Sequence, residues 1–194
     1  MRTIYLAGPE VFLPDAQAVM AQKRRRARAH GFEPTGPGSD EAALAAGPAT
    51  AAMILERNET AMRRAEVCIA NVTPFRGISA DPGTVYEIGF MIALGRTVHA
   101  YTNDPRPYGE RVEAEWPGGR VAGPREARPL RGVDGLMIES FGLADNLMIE
   151  AGILAHGGRL VRREERPADP ARDLSAYLAC LRLLRDGGSG RGAL

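Results

Sequence analysis

Short apolar runs at residues 3–7, 32–35, 67–71 and 97–101 alternate with stretches of helical period, and this alternation constrains the chain more than any other feature. The first run breaks at Gly8 and Pro9, as a buried strand ending in a turn does. A brief run at 159–161 reads as a last edge strand. Strands alternating with helices imply a parallel sheet covered on both faces. Right-handed crossovers then restrict the topology to a flavodoxin-like doubly wound α/β sheet of about five parallel strands. The 194 residues suit one core rather than two. Residues 1–185 are therefore expected to form a single domain, and the Gly-rich stretch 186–194 a flexible tail.

Residues 81–95 read as a helix with both ends marked. Asp81 is a good N-cap, Pro82 suits the first helical position, and Gly95 suits a left-handed stop. Val85, Ile88, Phe90, Met91, Ile92 and Leu94 surround the cylinder, so the helix is expected to be buried all round. Glu87 is its only charge past the cap. A carboxylate among apolar neighbours is costly unless paired, hydrogen-bonded or facing a cavity, and functional carboxylates are found in such places. Asp81 and Glu87 stand roughly 9 Å apart along the axis, close enough to share a pocket at the helix entrance.

Other segments are less decisive. The helix expected at 15–30 turns Val19, Met20 and Ala27 inward, and residues 23–26, Lys23 among them, read as its solvated face. From 49 to 64 the spacing of Met53, Ile54, Arg57, Asn58, Ala61 and Met62 predicts one inward stripe. His99 reads as a core or sheet-face histidine. Residues 36–47 read as loop. Residues 103–132, rich in Pro, Gly and Arg, are long for a structureless connection and form either an active-site flap or an insertion. Leu174, Leu178, Leu181 and Leu184 set out a terminal amphipathic helix over 169–184.

A net charge of +1 gives no electrostatic reason to expect nucleic acid or an anionic membrane as partner. Cys68 and Cys180 imply no disulfide framework, and no leader or membrane-length apolar run is present, so a reducing, cytoplasmic setting is expected. Neither GxGxxG nor a P-loop follows a strand, no His/Cys cluster has metal spacing, and there is no GxSxG elbow. No cofactor or metal is expected, and carboxylate chemistry remains. Two carboxyl groups in unlike surroundings can divide nucleophile and proton-transfer roles, as glycosyl transfer with retention requires. Other carboxylate enzymes stay open on this ground alone.

Four blocks carry a likeness to a known family: residues 4–9 with Phe12; Asn58 ahead of 67–77; 81–89 with 93–95; and 142–148. In order and spacing they resemble the nucleoside 2-deoxyribosyltransferases over most of residues 1–161. The resemblance implies an enzyme that moves 2-deoxyribose between nucleobases through a covalent ester on Glu87, with retention and with hydrolysis as a side reaction. It implies that Tyr5 orients this carboxylate and that Asp81 contacts the base and assists its protonation. Asn58 would lie in the pocket, and Gly8, Pro9, Phe12, Arg76, Gly77 and Met148 would contact substrate. Asn146 would bind the sugar 5′-hydroxyl from a neighbouring subunit, making the protein a homo-oligomer, at least a dimer. Val11, Phe12, Pro74 and Phe75 could floor the base site. Two alternatives are a 2-deoxynucleoside 5′-monophosphate N-glycosidase and a nucleoside-sensing module without catalysis. The glycosidase relatives carry a Gly/Arg/Ser-rich turn after the first strand, where this chain has Gly8, Pro9, Glu10, Val11 and Phe12.

Overall fold

The computed structural model describes residues 1–37, 50–126 and 129–187. In chain order the elements are β1 (Arg2–Ala7), a short 3-10 turn (Pro9–Phe12), α1 (Ala16–Ala29), β2 (Phe32–Thr35), α2 (Ala51–Arg64) and β3 (Val67–Asn71). They continue with α3 (Pro82–Ala93), β4 (Thr97–Thr102), α4 (Tyr108–Glu115), α5 (Leu147–Ala155), β5 (Arg159–Arg162) and α6 (Ser175–Gly187). The sheet has five parallel strands in the order β2-β1-β3-β4-β5. This is the expected doubly wound α/β architecture. Strand order reverses beside β1, so the carboxyl ends of β1 and β3 form the crevice where such sheets take ligands. Pro34, which donates no ladder hydrogen bond, is tolerated because β2 is an edge strand.

Alternation along the strands divides the core in two. Tyr5, Ala7, Cys68, Ala70, Val98 and Ala100 face the layer of α2, α3 and α5, where they meet Met62, Ile88, Met91, Ile149 and Ile153. Ile4, Leu6, Val67, Ile69 and Tyr101 face α1 and α6, against Met20, Ala27, Tyr177, Leu181 and Leu184. Small residues dominate the first face of β1, β3 and β4. They let α3 lie close to the sheet, so a side chain from its first two turns reaches β1.

Several expectations need correction. The α3 helix is not buried all round: Gly83, Tyr86, Gly89 and Ala93 form an exposed stripe, while Ile88 and Met91 hold the core. On α2, Met62 is buried but Met53 and Ile54 are 41% and 49% exposed, so the inward stripe is confined to the C-terminal half. Residues 103–132 are not structureless. They contain α4 and an antiparallel bridge between Val121 and Gly132, and Val112, Leu130 and Ile138 make a small core packed on Ile78. The terminal helix begins at Ser175, six residues later than expected, because Asp169 instead closes a turn through Ala171 N and Arg172 N. It also runs through Asp186 and Gly187, into the stretch expected to be flexible; residues 188–194 lie outside the described residues, as does most of the 36–47 loop.

The largest correction concerns Lys23, which is fully buried rather than on a solvated face. Its Nζ donates to Glu10 Oε1 at 2.5 Å and lies over the rings of Tyr101 and Tyr177 at 5.6 and 5.2 Å. Asn71 Nδ2 and the Tyr101 hydroxyl donate to the same Glu10 oxygen, at 3.0 and 2.9 Å. Burial works against the charge on Glu10, but the cation and hydrogen bond of Lys23 hold its pKa below the usual carboxylate range. The network pins the turn after β1 to α1, β3 and β4. Gly8 is required there: a Cβ would overlap the Glu10 carboxylate and stand 2.9 Å from Asn71 Cβ. Removing one partner of a buried pair strands the other charge. Lys23→Met is therefore expected to cost about 3–5 kcal/mol in urea unfolding. Lys23→Met with Glu10→Gln, which keeps an acceptor for Asn71 and Tyr101, should recover most of that loss.

Candidate active site

Glu87 sits on the sheet-facing side of α3, 8% exposed, and its Oε1 accepts a 2.5 Å hydrogen bond from the Tyr5 hydroxyl of β1. Tyr5 is fully buried, and burial together with the neighbouring Glu87 charge pushes its pKa far up, so the phenol stays a donor. Burial likewise raises the pKa of Glu87, which is pushed up to about 7. The Tyr5 hydrogen bond and the Lys23 charge oppose that rise, while the charges of Asp81 and Glu10 add to it. The result is a carboxylate out of bulk water that changes charge near neutrality.

Asp81 caps α3 as its sequence position suggested, Oδ2 accepting from Thr84 N at 3.0 Å and from Thr84 Oγ1 at 3.2 Å. At the other end of the helix Gly95 adopts φ 69°, and the Gly95 and Arg96 amides close on Ile92 O and Met91 O. Both caps thus fix the register that puts Glu87 opposite Tyr5.

Of the other residues singled out in the sequence, Gly8, Pro9 and Phe12 follow β1, and Arg76 and Gly77 follow β3, at the carboxyl ends of those strands. Gly8 and Pro9 form the turn directly after Tyr5's strand. Phe12, 52% exposed, stacks on Phe75 with centroids 5.1 Å apart, and Val11 is exposed beside it. Arg76 lies over both rings, 5.4 Å from Phe12 and 4.9 Å from Phe75. To do so it adopts φ 51°, a left-handed conformation that a non-glycine residue takes at a cost; Gly77 follows. Asn58 is half-buried on α2, beside α3 in the same layer, to which α2 is tied by a 2.6 Å bond from Tyr86 OH to Glu59. Asn146 caps α5, accepting from Met148 N at 3.0 Å and donating through Nδ2 to Glu139 at 2.6 Å. Both ends of its amide are engaged, and Met148 beside it is 74% exposed. His99 is a buried sheet residue that accepts from Arg159 N, and burial lowers its pKa.

A cleft of about 260 Å³ opens at the same sheet edge among Pro9, Glu10, Asn71, Phe75, Asp104 and Pro170. Sequence reading missed the Glu10–Lys23–Asn71 network beneath it. The signal existed: Lys23 stands midway between Val19 and Ala27 at spacing four, on the apolar stripe of α1. It also missed Asp145, fully buried, which accepts from Ser79 Oγ, Ala80 N and Asn146 N.

The nucleoside 2-deoxyribosyltransferase family model matches residues 4–148. Among solved structures the chain is similar to a 2-desoxiribosyltransferase from Leishmania mexicana, at 30% identity over 77% of this chain and 85% of that one, with a TM-score of 0.59. It also resembles in fold a conserved protein from Enterococcus faecalis, at 20% identity over 95% and 99% of the two chains, TM-score 0.54. An uncharacterized protein of Schizosaccharomyces pombe is 31% identical over 169 residues, covering 80% of this chain and 78% of that one. The chain belongs to the nucleoside 2-deoxyribosyltransferase family. No helix among the described residues is long and apolar enough to cross a membrane.

A carboxyl group whose pKa is raised by folding stabilises the fold while it is protonated. That contribution is lost as pH rises from the unfolded value, about 4.3, through the folded value of about 7. Glu87→Gln, which can still accept from Tyr5, should therefore leave stability near pH 4 unchanged and raise it at pH 8 by roughly 3 kcal/mol. Thermal melts at the two pH values measure the difference.

Proposed function

We propose that the protein is a nucleoside 2-deoxyribosyltransferase in which Glu87 attacks C1′ of a 2-deoxynucleoside. The observation that carries this reading is the buried Glu87 carboxylate held by the Tyr5 hydroxyl on a helix capped by a second acid, Asp81. The C1′–N bond breaks with its electron pair leaving on the base, which takes a proton that Asp81 helps to deliver. The sugar is left as an ester on Glu87 with inverted configuration. A second base displaces the carboxylate from the same face, so two inversions give retention. Water in place of the base gives hydrolysis. The oxocarbenium-like transition state is stabilised by the nearby anion in surroundings that exclude most water.

Tyr5 fixes which oxygen attacks: its hydroxyl occupies Oε1, and Oε2 has no hydrogen-bond partner among the described residues. Phe12 and Phe75, with Arg76 over them, offer stacking surface for a purine or pyrimidine beside Gly8, Pro9 and Gly77. Asn58 completes the pocket from α2. The Asn146–Met148 corner is offered to the pocket of a second copy, a role to which the exposure of Met148 is suited. The residues after β1 support the transferase over a 5′-monophosphate glycosidase, because Gly8, Pro9, Glu10, Val11 and Phe12 stand where the glycosidase relatives carry a Gly/Arg/Ser-rich turn.

Incubating the protein with deoxyinosine and free adenine should yield deoxyadenosine; free deoxyribose without deoxyadenosine would replace the transferase with a hydrolase. A 2-fluoro-2-deoxynucleoside should leave a sugar adduct on the peptide containing Glu87, detected by mass spectrometry, and none in Glu87→Gln. The nucleophile must be ionised, so kcat/KM should rise with pH through about 7. Since the Tyr5 hydrogen bond lowers the Glu87 pKa, Tyr5→Phe should move that acidic limb to higher pH. An unmoved limb would show that the titration belongs to another group.

A further inference from the structure

Arg111, at the centre of α4, is fully buried although it belongs to the Pro/Gly-rich segment between β4 and β5. Its guanidinium donates to three backbone carbonyls from three loops: Ile78 O at 2.8 Å, Arg106 O at 2.7 Å and Ala144 O at 2.6 Å. It also stands 3.6 Å from the buried Asp145 carboxylate. Asp145 in turn joins two of the three loops that Arg111 holds. It accepts from Ser79 Oγ and from Ala80 N at 2.9 Å on one side, and from Asn146 N at 2.7 Å on the other. The next residue after Ala80 is Asp81, and the residue after Asp145 is Asn146.

We propose that Arg111 and Asp145 are positioning residues that set Asp81, which serves this chain's own pocket, in register with Asn146, which is offered to the pocket of a second copy, so that the base-protonating and sugar-holding elements move as one piece. Neither touches the reacting atoms. The geometry is suited to such a role, because a planar, always-charged fork satisfies three carbonyls at fixed angles, which a lysine could not do. A carboxylate with two acceptor oxygens then joins the segments on the opposite side of the ion pair. Without Arg111 the Asp145 charge is stranded and three buried carbonyls lose a donor, so segments 78–81 and 144–146 separate. The segment after β4 is thus a strut under the pocket rather than a flap over it. The catalytic consequence rests on the reading of Glu87 and Asp81 given above; the coupling of the two segments does not.

The test compares two nucleosides in wild type, Arg111→Lys, Arg111→Met, Asp145→Asn and Arg111→Met/Asp145→Asn. Deoxyadenosine needs a proton on its departing base, whereas 7-methyl-2′-deoxyguanosine already carries a cationic base and leaves without one. Misplacing Asp81 should cut kcat for deoxyadenosine about tenfold more than kcat for the methylated substrate. It should also raise KM for both as Asn146 shifts. The double variant should lose no more than the worse single variant, since both act through one link, and Arg111→Lys should not rescue. Equal loss on both substrates, or full activity in Arg111→Lys, would overturn the proposal and leave Arg111 a purely structural residue. Amide exchange by mass spectrometry gives a reading independent of catalysis: peptides covering 78–81 and 144–148 should exchange faster together in Arg111→Met, while those of β1 and α1 stay protected. If they remain protected, the coupling is absent. If wild type cleaves neither nucleoside, the substrate reading falls, and exchange still decides whether Arg111 joins the two segments.

Discussion

Burial of one carboxylate against one phenol organises the functional end of this molecule. Glu87 can lie out of water because Tyr5 donates to it, and Tyr5 can lie out of water because Glu87 accepts. Each would be an unsatisfied polar group alone, and the cost of separating them is the desolvation of both. The pair forms only if α3 lies close to β1, which the alanines and cysteine on that face of the sheet permit. It also needs the helix in one register, which Asp81 and Gly95 enforce from its two ends. Packing, capping and the hydrogen bond are therefore not separable contributions; loss of one weakens the others.

Beneath the turn after β1 a second buried polar cluster serves a complementary purpose. Lys23, Glu10, Asn71 and Tyr101 are paired with one another on the opposite face of the sheet from Glu87. Their charges still reach it: Glu10 raises and Lys23 lowers the Glu87 pKa. The ion pair is nearly neutral as a unit, so it shapes the turn without strongly biasing the carboxylate. A third cluster, Arg111 with Asp145, ties the loops that lead into α3 and α5. All three clusters lie toward the carboxyl ends of the strands. The other buried residues among those described are mostly apolar, Thr73, Thr84, His99, Thr102, Asn103 and Asp104 being the polar ones.

Much of the fold was legible because its signals are local. The alternation of apolar runs with helical stretches located β1, β3, β4 and the helices between them, and the caps of α3 were readable from Asp81, Pro82 and Gly95. The readings that failed did so where a local pattern competed with a long-range partner. Lys23 looked like one of four surface cations, and only Glu10, thirteen residues away, and the rings of Tyr101 and Tyr177 make its burial tolerable. Met53 and Ile54 have helical spacing but nothing among the described residues buries them. Residues 103–132 lack sustained periodicity because α4 is only eight residues long and is held by the buried fork of Arg111 together with the small core around Val112.

Among the residues of the candidate site, the sequence by itself determined the parts set by neighbours along the chain. These are a helix with one acid inside it, a cap six residues before that acid, and a strand ending in Gly8 and Pro9. Periodicity and capping act over a few residues and are written in them. Tyr5 as the partner of that acid was named by the family resemblance alone; the tertiary structure decided that the two meet out of water, that the acid's pKa stands near 7, and that Asp145 and Arg111 lock two distant loops together. Those outcomes depend on burial and on distances between residues 33 to 82 positions apart. Burial and spatial distance come into being only when the sheet closes.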